Sequence, residues 1–462
     1  MNFEKGRYKT PLLGVFSLTM INVCAIQSLR NLAIMAETGW ASIFFYLLSA
    51  LLFFIPAALV AAELAGAFPS AGGVYTWVKE AFGPRWGFAA IFLQWAENVI
   101  WYPTVLSFTA ATIAYLIDPA LADNYQFIIA MILLIFWGST LFDAFGMRVA
   151  GLISTVGVIG GTLIPAAVII FLGSWWVISG LPIQLSYSPR ALFPDLNDWS
   201  NLVFLTGVML SFGGIEMAAV HAKDVQNPRR NYPKAIFLST AIILLLSISG
   251  SLAIAAVVPK KSLSLVAGVM QAFEIFFTKA GLPFLIPVFA IMIALGSIAM
   301  VATWIVGPSR GLLFAAEQGD LPAVFQKKNR WEMPTVILGI QGALVALLSF
   351  AFVLMPTVSA SFWALTALTA ILYLFMYILL FLAAIRLRFS KKDTPRIYRI
   401  PGGNIGMFAV AGVGLISSVF AIVIGFVPPP ELNKEQANVF TWFLFGGAGA
   451  IFLLPHMLFR KG

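Results

Sequence analysis

The residues best suited to chemistry lie inside an apolar run that starts near Asn201, in Ser211-Phe212-Gly213-Gly214-Ile215-Glu216. A carboxylate in the middle of a hydrocarbon layer costs about 2.5–3.5 kcal/mol on insertion scales, so it is usually kept for a function. The adjacent Gly213 and Gly214 let a helix unwind beside it and expose backbone N–H and C=O groups to a ligand. Two chemistries are open to Glu216. It could be a structural carboxylate bonded to a neighbouring helix, or a group that meets substrate or exchanges protons near neutral or mildly acidic pH.

Other polar side chains interrupt apolar runs. Gln94, Glu97 and Asn98 fall within five positions, so they cannot all face lipid; some meet a cavity or a partner helix, and a pocket role and a packing role are both open. The first apolar run carries Thr19, Asn22, Gln27 and Ser28, which could help free its backbone, although it lacks glycine there. A break in this run would fall within Thr19-Met20-Ile21-Asn22-Val23-Cys24-Ala25-Ile26-Gln27. Arg30 follows, and either snorkels to the interface or lines an outer vestibule that attracts carboxylates. Glu63 precedes Phe68-Pro69-Ser70-Ala71-Gly72-Gly73 and reads as a carboxylate that organises a helix end or loop. Trp304, Tyr373 and Tyr377 are aromatics at apolar positions, open to packing or ligand contact. The two tyrosines are four apart and share a helix face. His221 lies five residues past Glu216 with no second histidine nearby, which suits a gate or interface residue better than a metal ligand.

The elements that must position these groups follow from composition. The chain is 60% hydrophobic and 10% charged, whereas soluble chains run near 25% charged. It is an all-α integral membrane protein, with no removable signal peptide expected. Apolar runs of about the 20 residues needed to span a bilayer fall at roughly 12–33, 41–66, 86–117, 125–143, 149–178, 199–222, 234–258, 282–315, 334–355, 360–386, 404–427 and 436–459. They predict twelve transmembrane helices in one polytopic domain over 1–462, with both termini on one side. Placing the termini inside leaves only Arg30, Arg190, Lys260, Lys261, Lys279 and Lys434 outside, and 22 of the 28 Lys and Arg inside. That is a strong positive-inside bias. The net charge of +9 is therefore mostly topological, and a nucleic-acid partner is not expected. Two histidines and one cysteine argue against a metal site, a metalloenzyme or any enzyme, and no cofactor is expected.

The sixth run continues through His221-Ala222-Lys223-Asp224-Val225-Gln226-Asn227-Pro228-Arg229-Arg230-Asn231-Tyr232-Pro233. This resembles the amino acid–polyamine–organocation transporters, and within them most nearly the bacterial glutamate/GABA antiporters, which share the histidine after the carboxylate and the Asn-Pro-x-Arg-x-Tyr-Pro ending. The resemblance covers nearly the whole chain. It includes Gly83-Pro84-Arg85-Trp86-Gly87-Phe88, Ala267-Gly268-Val269-Met270-Gln271, Trp304-Ile305-Val306-Gly307-Pro308-Ser309-Arg310-Gly311 and Ile400-Pro401-Gly402-Gly403.

The resemblance implies the LeuT fold: an inverted 5+5 repeat, here about 12–178 and 199–386, plus two additional helices over about 404–459. Spans 1 and 6 would be broken around a mid-membrane site. It implies Glu216 as the proton-coupling carboxylate, Trp304 as an eighth-span aromatic near substrate, and Tyr373 and Tyr377 as tyrosines of the pathway. Two positions depart from the pattern. Small residues are missing from the first-span break, and Met300 stands where those antiporters carry a carboxylate. Those antiporters also end in a cytoplasmic plug. This sequence stops at Gly462, soon after its last apolar run, so transport without a plug is expected.

The expected function is glutamate/GABA-type antiport by alternating access, exchanging an amino acid for another amino acid or amine across a bacterial inner membrane, by a monomer or homodimer with cytoplasmic termini. Substrate would meet Ile21, Asn22, Val23, Cys24, Glu97, Asn98, Ser211, Phe212, Gly213, Gly214, Trp304, Tyr373 and Tyr377, with His221 as a gate. A proton-coupled importer and a non-transporting nutrient sensor are the competing readings.

Overall fold

The computed structural model describes residues 14–68, 70, 72–143, 157, 159–186, 188–195, 199–218, 225–429 and 432–459. Among them the regular structure is helical, with one isolated β-bridge between Lys328 and Pro334. The first half holds α1 (Val15–Ile26), α2 (Arg30–Ala36), α3 (Ala41–Ala67), α4 (Val74–Phe82), α5 (Pro84–Ala114), α6 (Tyr125–Asp143) and α7 (Ile164–Ile178). The second holds α8 (Val203–Ser211), α9 (Ile215–Ala218), α10 (Pro228–Val257), α11 (Gly268–Lys279), α12 (Leu285–Glu317), α13 (Thr335–Ser349), α14 (Val358–Ser390), α15 (Gly403–Gly425) and α16 (Lys434–Leu458).

Ten described segments are long and apolar enough to cross a bilayer, and α1 with α2, bent by 67°, makes an eleventh. Helix α5 occupies the place of the expected third span and has 31 residues, but it is not among these. Gln94, Glu97 and Asn98 make its middle polar. Nearly every side chain from Gly87 to Ala114 is buried, so α5 meets protein on all sides and its polar groups never face lipid.

Local chemistry sets several helix ends and bends. In α3 a π-helical turn at Ala50–Phe54 precedes Pro56. Such a turn accommodates the hydrogen bond that a proline cannot make. The Thr357 hydroxyl accepts from the Ala360 N–H at 3.1 Å to cap α14. Asn433 and Gln436 form a reciprocal capping box at the start of α16, which satisfies two orphan donors.

Helix α14 is central, packed on α4, α5, α8 and α15. Its Trp363, Leu372, Tyr373, Tyr377 and Phe381 belong to the main apolar core. Large apolar side chains such as Leu134, Phe171, Leu347, Ile416 and Trp442 stud the outside, a surface suited to acyl chains. At one contact helices touch by backbone. α7 follows a π-helical turn at Ile159–Leu163, and a Cβ on its Gly161 would stand 2.4 Å from the Gly296 Cα of α12.

One end of the bundle is tied by ions. Glu63, at the end of α3, pairs with buried Arg388 of α14 and lies 3.1 Å from Arg396 Nε. It also accepts from the Ile400 N–H at 2.7 Å. Glu63 is thus the loop-organising carboxylate that its place before Pro69 suggested. Tyr75 of α4 donates to Asp320, just past α12, at 2.6 Å. These bonds gather the ends of α3, α4, α12 and α14 on one basic face.

Candidate functional site

Two interrupted helices frame the site. The first break lies at Gln27-Ser28-Leu29, at the far end of the expected stretch, and Ile21, Asn22, Val23 and Cys24 are all within α1. Nothing there stops a helix, and the Gln27 N–H still bonds the Val23 carbonyl at 2.8 Å. Asn22 is turned to α10, where its amide donates to Ser239 at 3.3 Å. None of the four lines the cavity described below.

The second break falls at Phe212-Gly213-Gly214, as the glycines predicted. Gly214 has φ +102°, a conformation that side-chain-bearing residues rarely adopt. Its N–H donates to the Tyr377 hydroxyl at 3.1 Å. Gly213 is required by crowding: a Cβ there would lie 2.3 Å from the Tyr373 ring.

A cavity of about 50 Å³ lies between the breaks. Ser28, Arg30 and Asn31 line it from the first break and Ser211 and Gly213 from the second. Glu97, Asn98 and Trp101 of α5, Met300 and Trp304 of α12 and Tyr373 of α14 complete the walls. So the fold gathers six of the expected residues, Glu97, Asn98, Ser211, Gly213, Trp304 and Tyr373, around one space. Phe212 points elsewhere and stacks on Phe54 with centroids 5.1 Å apart. His221 lies outside the described residues.

Glu216 sits behind this cavity, buried. Gln94 donates to its Oε1 at 2.8 Å and Tyr373 donates to the same oxygen at 2.6 Å, while Tyr377 donates to Oε2. Three donors from α5 and α14 converge on one side chain of α9, the arrangement that suits an acceptor-only carboxylate. Tyr377 therefore bonds both the backbone of the break, at Gly214, and the carboxylate just after it.

Arg30 does not snorkel. It is 3% exposed and forms part of the cavity wall. One terminal nitrogen donates to Thr104 at 2.5 Å and the other to Asn31 at 3.2 Å. Its guanidinium carbon lies 5.8 Å from the Trp101 ring centre and 5.7 Å from that of Phe362. Also in the cavity lining, Asn98 donates to Glu97 at 2.5 Å and to the Gln94 carbonyl at 2.9 Å.

Sequence reasoning missed Trp101, although it lies four residues past Glu97 and so shares its helix face. It also missed Gln94 as the partner of Glu216. The only signal was its place in the polar cluster.

A family model described as amino acid permease matches residues 13–450. The chain is 44% identical over 450 residues to an uncharacterized transporter of Legionella pneumophila, covering 97% of each. It is 34% identical over 460 residues to a glutamate/gamma-aminobutyrate antiporter of Lactococcus lactis, covering 98% of this chain and 90% of that one. It is 23% identical over 442 residues to a probable agmatine/putrescine antiporter of Lactococcus lactis, covering 94% and 91%.

Proposed function

Because the chain belongs to the amino acid permease family, we propose that this multi-pass membrane protein exchanges amino acids, with glutamate and γ-aminobutyrate as the pair to test first. The observation that carries this reading is the cavity between two broken helices, lined by a buried cation, Arg30, and a buried carboxylate, Glu97. The relatives named as glutamate/GABA antiporters support the substrate pair.

In this reading substrate enters between the breaks. The last carbonyls of α1, left without helical partners, and Glu97 receive its ammonium group. Trp304 and Tyr373 close against its side chain. Glu216 couples protonation to movement. A proton on it would set a hydroxyl among the three donors from Gln94, Tyr373 and Tyr377, and so loosen α9 from α5 and α14. The groups that hold the cavity shut on one side would then be free to reopen on the other.

The same reading takes α5 as a span and counts twelve. It takes α1 to α7 and α8 to α14 as inverted halves over about 12–178 and 199–386, each opening on a broken helix, with 404–459 added. It places the protein in a bacterial inner membrane with cytoplasmic termini, as a monomer or homodimer, and gives His221 a gating role.

The test is reconstitution in liposomes with labelled glutamate outside and γ-aminobutyrate inside. Uptake several-fold faster with the internal load supports exchange. Uptake indifferent to the load supports proton-coupled import instead, and absence of uptake of any amino acid overturns the reading.

A further inference from the structure

The guanidinium of Arg30, in the cavity wall, is incompletely satisfied. An arginine offers five N–H donors. Here only the bonds to Thr104 and Asn31 use them, and Nε is buried without a partner. No described carboxylate forms an ion pair with it, including Glu97, which lines the same cavity. Elsewhere in this chain a buried arginine is treated differently, as Arg388 is paired directly with Glu63. A buried, unpaired charge is costly unless something arrives to complete it. The aromatic faces of Trp101 and Phe362 hold the guanidinium in place without supplying an anion. The planar fork of an arginine matches a carboxylate in two parallel bonds.

We propose that Arg30 is the carboxylate anchor of the cavity, and that it makes a carboxylate obligatory in every molecule the protein carries in either direction. This rests on the amino-acid exchange reading above and narrows it. Arg30 and Glu97 both line the cavity, contributed by α2 and α5. A molecule with a carboxylate at one end and an ammonium at the other meets both. An α,ω-diamine offers a second ammonium to Arg30 and leaves the guanidinium unpaired beside like charge. Exchange partners produced by losing one carboxyl group stay acceptable only if a second carboxylate remains. Glutamate and γ-aminobutyrate satisfy that rule, and putrescine does not.

The experiment measures binding of glutamate, γ-aminobutyrate and putrescine to the purified full-length protein, and exchange of each in liposomes. The wild type is expected to bind and exchange the two carboxylates and to ignore putrescine. Arg30→Gln is expected to weaken both carboxylates at least ~10-fold, the scale of one lost charged contact, and Arg30→Lys to weaken them less. Putrescine handled as well as γ-aminobutyrate by the wild type, or carboxylate affinity unchanged in Arg30→Gln, would overturn the role of Arg30 while leaving amino-acid exchange standing. Failure of the wild type to bind any of the three, or any other amino acid, overturns both. If Arg30→Gln does not fold, the wild-type comparison with putrescine decides alone.

Discussion

The Tyr373 hydroxyl donates to Glu216 Oε1 at 2.6 Å and so joins α14 to α9 just past the second helix break. With Tyr377 and Gln94 it makes Glu216 the point where three helices meet. A hydrogen bond to a charged group is worth about 1.5–3 kcal/mol. Glu216→Gln should therefore lower exchange by at least ~10-fold and flatten its dependence on pH. Tyr373→Phe should lower the rate and keep the pH dependence. Initial rates in liposomes across a pH series separate the two, and an unaltered profile in Glu216→Gln would falsify the proton role.

Gly213 is fixed by contact. Its absent Cβ would stand 2.3 Å from Tyr373 Cε1, so Gly213→Ala must push the ring off Glu216. We expect a loss of transport as large as that of Tyr373→Phe, or larger, with a melting temperature in detergent within a few degrees of the parent. If Gly213→Ala transports normally, the ring has room to move and the contact is not limiting.

Arg388 is fully buried against Glu63, and it also donates to the Gly403 carbonyl at 2.7 Å. Removing one partner of a buried pair costs about 3–5 kcal/mol, because it strands the other charge. Glu63→Gln should thus melt well below the parent. The double variant Glu63→Gln, Arg388→Met should recover part of the loss. Equal melting of parent and Glu63→Gln would show that Arg396 and the backbone carbonyls suffice.

Burial raises the carboxyl of Asp320 above the usual range, against the lowering effects of the Tyr75 hydroxyl and Lys79. A carboxyl raised in the folded state supports folding while protonated, fully so below its unfolded value of about 3.9. That support fades as pH rises through the raised value. Stability should therefore fall with rising pH over this window. Asp320→Asn should abolish that component and melt higher at neutral pH, since the amide oxygen still accepts from Tyr75. Melting curves from pH 4 to 8 test this, and parallel slopes in parent and variant would count against it.

The second break was legible because glycine pairs beside a mid-membrane carboxylate have few other uses. Trp304, Tyr373 and Tyr377 followed from the resemblance, and Glu97 and Asn98 from polarity alone. The first break was legible only as a stretch from Thr19 to Gln27 and falls at its far end, since no glycine or proline marks it. The burial of Arg30 was illegible for a related reason. Its shelter comes from Thr104, Trp101 and Phe362, which only the tertiary fold brings near it. The pairing of Glu63 with Arg388 spans 325 positions, and no local pattern announces it.

The seam where Gly161 meets Gly296 has a mechanical meaning. Helices usually interlock, with side chains of one seated in grooves of the other. Here backbone lies on backbone, so at this point no side chain must leave a groove for the Ile159–Leu163 turn to slide along α12. Shear along such a smooth plane disturbs little packing. The same smoothness leaves no tolerance, because a single methyl at either glycine would wedge the helices apart and jam the slide.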